Sequence, residues 1–427
     1  MLNMNSTLSS PITRFSLVGL SLFASLALPS TLLNAADSWT RFRGPNGGGQ
    51  ADSADIPASW SDKDILWKTA LPSKGHSSPV VWGNRVFVTC AEKESGKRFL
   101  VGIDNQSGAI MWTHESAGSS FRQHADNSFA SASPAVDAKH VYVVWFGPDG
   151  SIMQAFTHDG KMAWSFDLGA FTAQHGAGAS PIVVGNQVIL PFEHDGPSDS
   201  YVIALDATTG KERWRTPRTS GKMSAATPCL LDPSATSPIL GLISTLHGIY
   251  GIDVTSGKVM WEQADIFKQR CVGSPIMAGG LFIAGDGQGG KGVSIIATKP
   301  PEKVGGKPTE VWRLITGIPY VPCLLPVGQH IFFVTDGGIA VCIDAATGKD
   351  VWRETLGVGA FYGSPVLVGD RIYIISKRGE VAAFAAADKF KPLGVSQLGE
   401  GSFASPAVAG SRMYLRTFSS LIAVGKK

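Results

Sequence analysis

The feature that most constrains this chain is a corner that returns four times with one spacing. Asp104-Asn105-Gln106-Ser107-Gly108 leads to Trp112, Asp206-Ala207-Thr208-Thr209-Gly210 to Trp214, Asp253-Val254-Thr255-Ser256-Gly257 to Trp261, and Asp344-Ala345-Ala346-Thr347-Gly348 to Trp352. In each copy Trp follows Asp by eight positions and Gly by four. Ahead of the last copy, Val341 and Ile343 alternate with smaller neighbours, as on a strand with one buried face. The Asp side chain can accept from backbone amides just after it, and Gly takes a positive φ without strain. A buried indole removes roughly 150–250 Å² from water, an upper-limit gain of about 4–6 kcal/mol. A clipped copy survives at Gly160…Trp164, and Trp312 is reached through a longer loop over 299–308. Near 385–393 the pattern fades, with Lys389 in place of Gly and Leu393 where Trp would fall.

A second marker runs in step with the first. Ser78-Pro79, Ser133-Pro134, Ser180-Pro181, Thr227-Pro228, Ser274-Pro275, Ser364-Pro365 and Ser405-Pro406 each open an apolar run, with Val321-Pro322 as a variant. Most runs turn back through pairs such as Gly83-Asn84, Gly185-Asn186 and Gly369-Asp370, which read as hairpin turns. Successive prolines lie 41 to 55 residues apart. Units of that length with four short strands are propeller blades. Eight markers predict an all-β, eight-bladed propeller of four-stranded antiparallel blades over 64–427. The last unit stops after three strands, and the stretch around Trp67 has no hairpin before it. The expectation is that this N-terminal strand completes the final blade and hides two edges that would otherwise invite aggregation.

The remaining sequence narrows the setting. A long apolar run rich in Leu, Ser and Ala ends at Leu33-Asn34-Ala35-Ala36 before acidic Asp37, the pattern of a signal peptide over 1–36; an uncleaved anchor is the competing reading. Residues 37–63 form a lead-in, and no later segment reads as a membrane helix. Charge is nearly balanced, 37 Lys and Arg against 34 Asp and Glu, which gives no basis for nucleic-acid binding. The five cysteines (90, 229, 271, 323 and 342) are an odd, dispersed set. They read as buried small hydrophobes, not as a disulfide framework. An exported chain, periplasmic or extracellular, follows.

The recurring corner resembles the tryptophan-docking motif of the PQQ-like (pyrroloquinoline-quinone-like) propeller repeat family, and the resemblance extends over essentially all of 66–424. It implies that Trp67, Trp112, Trp164, Trp214, Trp261, Trp312 and Trp352 are structural wedges between blades. Quinoprotein dehydrogenases of that family bind the quinone with calcium, and the alcohol dehydrogenases among them use a vicinal cysteine pair. No two cysteines are adjacent here, and no calcium-site set or catalytic Asp matches. Non-catalytic members include the outer-membrane assembly propeller, though its lipid-attachment Cys has no counterpart here.

In a propeller the connection from each outer strand to the next inner strand crosses one face. The residues before each Pro marker should therefore ring one mouth of the channel: Lys74, His76, Arg122, His124, His175, Lys222, Arg270, Tyr320, Tyr362 and Phe403. Cations with aromatic rings suit an anion, a peptide carboxylate or an acidic loop. The three histidines come from different blades and do not read as a metal site. The longest connection, 114–133, should form a partial lid. The resulting expectation is a binding or scaffolding module, monomeric or part of an assembly, for a cell-envelope protein or small ligand, with no catalytic residue, metal or required cofactor. A PQQ-dependent oxidoreductase, and a carbohydrate- or peptide-binding propeller using Tyr320, Tyr362 and Phe403, are the alternatives.

Overall fold

Each full corner closes as its residues demand. Asp104, Asp206, Asp253 and Asp344 each accept, through Oδ1, the amide and hydroxyl of the Ser or Thr three positions on, at 2.6–2.9 Å. The Gly at the end of each corner has φ between 70° and 73°, a conformation natural to glycine. The chain then reverses and the Trp strand pairs with the strand it has just left.

The computed structural model describes residues 38–51, 56–196 and 199–426; the expected signal segment lies outside the described residues. The described chain forms eight antiparallel blades. The first has strands Val80–Trp82, Arg85–Ala91, Arg98–Asp104 and Ile110–Ser116, counted from the channel outward, and the next six repeat that order. The eighth takes Ala407–Ala409, Arg412–Arg416 and Ser420–Gly425 from the C-terminal end, and Ile65–Ala70 as its outer strand, with Trp67 opposite Ala423. Ring closure is therefore as the sequence predicts. The only helical segments among the described residues are short turns at Pro45–Gly47 and Asp62–Asp64.

The apolar core lies between blades. Six clusters each bridge one adjacent pair, and a larger one joins the seventh, eighth and first blades with Trp39 and Ile56 of the lead-in. At the outer rim each Trp leans onto the next blade. A Cβ added at Gly108, Gly160, Gly210 or Gly257 would stand 2.6 Å from Trp67, Trp112, Trp164 or Trp214 respectively. The indole N–H donates to a carbonyl in that next corner: Trp67 to Asn105, Trp112 to His158, Trp164 to Ala207, Trp214 to Val254, Trp312 to Ala345 and Trp352 to Ala387, at 2.8–3.0 Å. On its own blade the Trp faces Gly102, Ala155, Ala204, Gly251, Ala297 or Cys342. The small residue before each corner is thus room for the ring.

Three departures have local causes. Beside Trp261 the next blade offers the long loop after Lys299, not a corner, with the Gly305 amide donating to Met260 O at 2.7 Å, and the Trp261 N–H has no partner among the described residues. Trp112 and Trp352 are only half-buried, because the corners they meet are the clipped one and the faded one. The seventh blade has no Trp, and the eighth has no corner to receive one: its outer strand, Ile65–Ala70, comes from the N-terminal side, so no hairpin joins it to Ser420–Gly425. The lead-in takes that place. Tyr373 donates to Ile56 O at 3.1 Å, and the Trp60 amide donates to Ser396 Oγ at 2.9 Å.

The lead-in also does more than cap the ring. Ser38 and Trp39 pair with Trp82 and Val81 of the first blade, while Gln50 and Ala51 run parallel to Leu367 and Val368 of the seventh. Between them the chain turns inside the channel. Arg41 donates to Pro228 O at 2.5 Å, Arg43 to Leu324 O at 2.7 Å, and Asn46 both donates to Leu230 O and accepts its amide. This turn, with Phe42 in the cavity wall, makes the floor of a cup in the channel.

Candidate functional site

The cup begins with a residue that the sequence presents only as a strand opener. Pro has no N–H and holds the residue before it extended, so the Ser before each Pro has an amide to place. Ser78 N–H donates to Ser133 Oγ, Ser133 to Ser180, Ser180 to Thr227 Oγ1, and Thr227 to Ser274 Oγ. Ser274 donates to Cys323 Sγ, Cys323 to Ser364 Oγ, Ser364 to Ser405, and Ser405 back to Ser78. The distances run from 2.8 to 3.2 Å. One hydrogen-bonded ring therefore passes through all eight blades. It also corrects the sixth marker, which is Cys323-Leu324 and not Val321-Pro322. The shift arises because Asp336 caps the amides of Tyr320 and Val321 at 2.7 and 3.2 Å, holding both residues in the preceding loop.

This ring lines a cavity of about 500 Å³, with Phe42 of the lead-in also in its wall. Of the residues expected at the mouth, His76, His124, His175, Arg270, Tyr320, Tyr362 and Phe403 line it; Lys74, Arg122 and Lys222 do not. Lys74 and Arg122 are exposed, and Lys222 bonds Gln269 and Lys268 O. All five cysteines are free and buried. Among the described residues no group of three or more His, Cys, Asp or Glu could hold a metal ion.

The 114–133 connection spans the mouth. Asn127 Nδ2 donates to His175 O at 2.6 Å, and the His124 and His175 rings stack with centroids 5.2 Å apart. On the other side Asp126 accepts from Tyr362 Oη at 2.9 Å and from Lys377 Nζ at 3.0 Å. Lys377 also sits 4.0 Å from the Tyr362 ring centroid and 5.1 Å from that of Phe403. Burial pushes the Asp126 carboxyl up, but Lys377 and Tyr362 outweigh it and hold the group below its ordinary value. Burial and then Arg416 push His76 down to about 3, so it stays neutral. Burial and then Arg270 lower His175.

Sequence reading missed Lys377, which lies in the hairpin turn between the second and third strands of the seventh blade, not between blades. It missed Asp195 too, which accepts the amides of Gln174 and Met223 at 2.6 and 2.7 Å and lies 3.9 Å from Arg270. Both follow inner-blade strands on the mouth side. Counting every turn on that face, not only the inter-blade connections, would have found them.

A family profile described as outer membrane protein assembly factor BamB matches residues 64–241, 201–299 and 307–424. The outer membrane protein assembly factor BamB of Burkholderia pseudomallei (strain K96243) is 24% identical over 373 residues, 83% of this chain and 86% of that protein. The crystal structure of BamB from Moraxella catarrhalis matches with TM-score 0.58 at 13% identity, covering 85% of this chain and 97% of that one. Quinohemoprotein alcohol dehydrogenase from Comamonas testosteroni matches with TM-score 0.63 at 14% identity, covering 92% of this chain and 82% of that one. At such identities the structural likeness is one of fold.

Proposed function

The chain belongs to the family of outer membrane protein assembly factor BamB, and from that premise we propose that it is an exported, non-catalytic scaffold that offers its channel mouth to a protein of the cell envelope. The observation that carries this reading is the state of the mouth. Asp126 is held below its ordinary carboxylate value and His76 is pushed down to about 3, whereas a general acid or base works best with a pKa near ambient pH. What the mouth presents instead is a stacked His pair, Tyr362, Phe403 and Lys377, held by loops on a rigid ring. Such surfaces suit recognition of a peptide segment. No helix among the described residues is long and apolar enough to cross a membrane.

The fold neighbour that is an alcohol dehydrogenase raises the quinone reading. The cavity wall does not fit a calcium–quinone pair. Its single carboxylate, Asp126, is engaged by Lys377, and no two cysteines are adjacent. Two measurements separate these readings. Purified protein given PQQ and Ca²⁺ should reduce no dye; turnover would overturn the scaffold reading. Capture of an envelope partner should fall at least about tenfold in Tyr362→Ala with His124→Ala, since the loss of aromatic anchors is costly at interfaces; unchanged capture would remove the mouth from the account.

A further inference from the structure

We infer that the base of the cup is a binding site for a small oxyanion, whose oxygens accept hydrogen bonds from the hydroxyl ring while buried guanidinium groups supply the counter-charge. The inference goes beyond the scaffold reading and stands without it.

The donors come first. Each ring oxygen already accepts one amide, and none of the seven hydroxyls donates to an atom of the described residues. All seven residues are more than nine-tenths buried, and all line the cavity. Buried hydroxyl protons in native proteins find acceptors. Here the seven hydroxyl-bearing residues all line one cavity, and their acceptors come from what occupies it.

Charge then selects among acceptors. Arg41, Arg43 and Arg416 are buried, at 6%, 0% and 0% exposure. Arg41 and Arg43 donate to carbonyls, and Arg416 to Ser77, Thr89 O and Cys90 Sγ. None is within ion-pair distance of a carboxylate among the described residues, and Nε and Nη1 of Arg43 have no partner. A buried cation without a counter-ion is costly. The one acidic residue in the wall, Asp126, is at the rim and engaged by Lys377. Elsewhere in the wall, the buried His175 Nδ1 is also without a partner among the described residues. A cation is repelled by this arrangement, and a neutral polyol gains nothing from its charge. An oxyanion accepts from the hydroxyl donors; Arg41, Arg43 and Arg416 stand behind the wall and act on it through their charge, and Arg270 is the one arginine in the lining. Phe42 and Phe403 leave apolar surface for the body of an organic acid.

The ring itself supplies variants that separate this role from folding. Cys323 shows that a sulfur can accept the neighbouring amide, and Thr227 that a threonine hydroxyl fits. Ser133→Cys, Ser180→Cys and Ser364→Cys together keep the acceptors but replace three O–H donors by weak S–H donors; the matching Thr triple keeps all donors. Calorimetric titration at fixed ionic strength, with sulfate and benzoate as probes and benzyl alcohol as neutral control, reads the outcome. One saturable site for sulfate or benzoate is expected, weakened about tenfold or more in the Cys triple and less than about threefold in the Thr triple. Should the Cys triple not fold, Ser364→Cys alone is expected to weaken binding about twofold to threefold. Crystals soaked in selenate should show its anomalous peak inside the ring. No saturable binding, equal affinity in the Cys variants, equal binding of benzyl alcohol, or a selenate peak only outside the cup would each overturn the site.

Discussion

Two seams hold neighbouring blades together, and they obey different rules. The outer seam of Trp on corner makes its indole hydrogen bond at six of the eight joints, lacks one among the described residues at Trp261, and is replaced by the lead-in after the seventh blade. The inner seam, the ring from Ser78 to Ser405, is present at all eight joints. An apolar wedge is local, so one joint can lose it and be patched by other apolar surface. A cyclic chain of donors and acceptors cannot be broken at one joint without stranding a buried amide. This is why the outer repeat decays while the inner position stays Ser, Thr or Cys.

That contrast is broken most severely at the outer rim where the wedge is whole. Trp214→Ala should cost about 3–5 kcal/mol, read by denaturant unfolding. Trp352→Ala, at a faded corner with the residue only partly buried, should cost clearly less, about 2 kcal/mol. Equal costs would deny that corner completeness sets the strength of the outer seam. At the inner seam Ser180→Ala removes the acceptor of the Ser133 amide and should cost about 1–3 kcal/mol. Ser180→Cys keeps an acceptor and should cost under about 1 kcal/mol; similar losses for both would mean the ring is incidental.

A pH experiment sharpens the account of the third and fourth blades between the seams. Glu193 is buried, and burial raises it to about 7 although Tyr250 donates to it at 2.6 Å. Its folded pKa exceeds the unfolded one, so the native state holds the extra proton. Its stabilising effect is therefore full below the ordinary Glu range and is lost as pH rises through about 7. Glu193→Gln should remove about 2–3 kcal/mol of that pH dependence between pH 5 and 8. A variant whose midpoint still falls with pH as wild type does would contradict it.

The sequence shows the outer seam plainly, because Trp is rare and its distance from Asp and Gly repeats. Blade number and ring closure follow from it with the Pro markers. The inner seam carries the same period, yet Ser before Pro reads only as a strand start, since the residue it bonds is about 47 positions away. At the sixth blade Cys323 hides it further. The mouth was legible where it is built by inter-blade loops, as for His76, Arg270 and Tyr362. It was not legible where an inner turn contributes, as for Lys377, or where Arg41, Phe42 and Arg43 enter the channel from a segment outside the repeat.

The central functional claim is that the mouth, not the outer rim, meets the partner. A photo-reactive amino acid placed at His124, and in a separate chain at exposed Val351 of the rim, tests it in intact cells. The account predicts a discrete cross-linked envelope protein from position 124 and none from position 351. The same adduct from the rim, with none from the mouth, would contradict it.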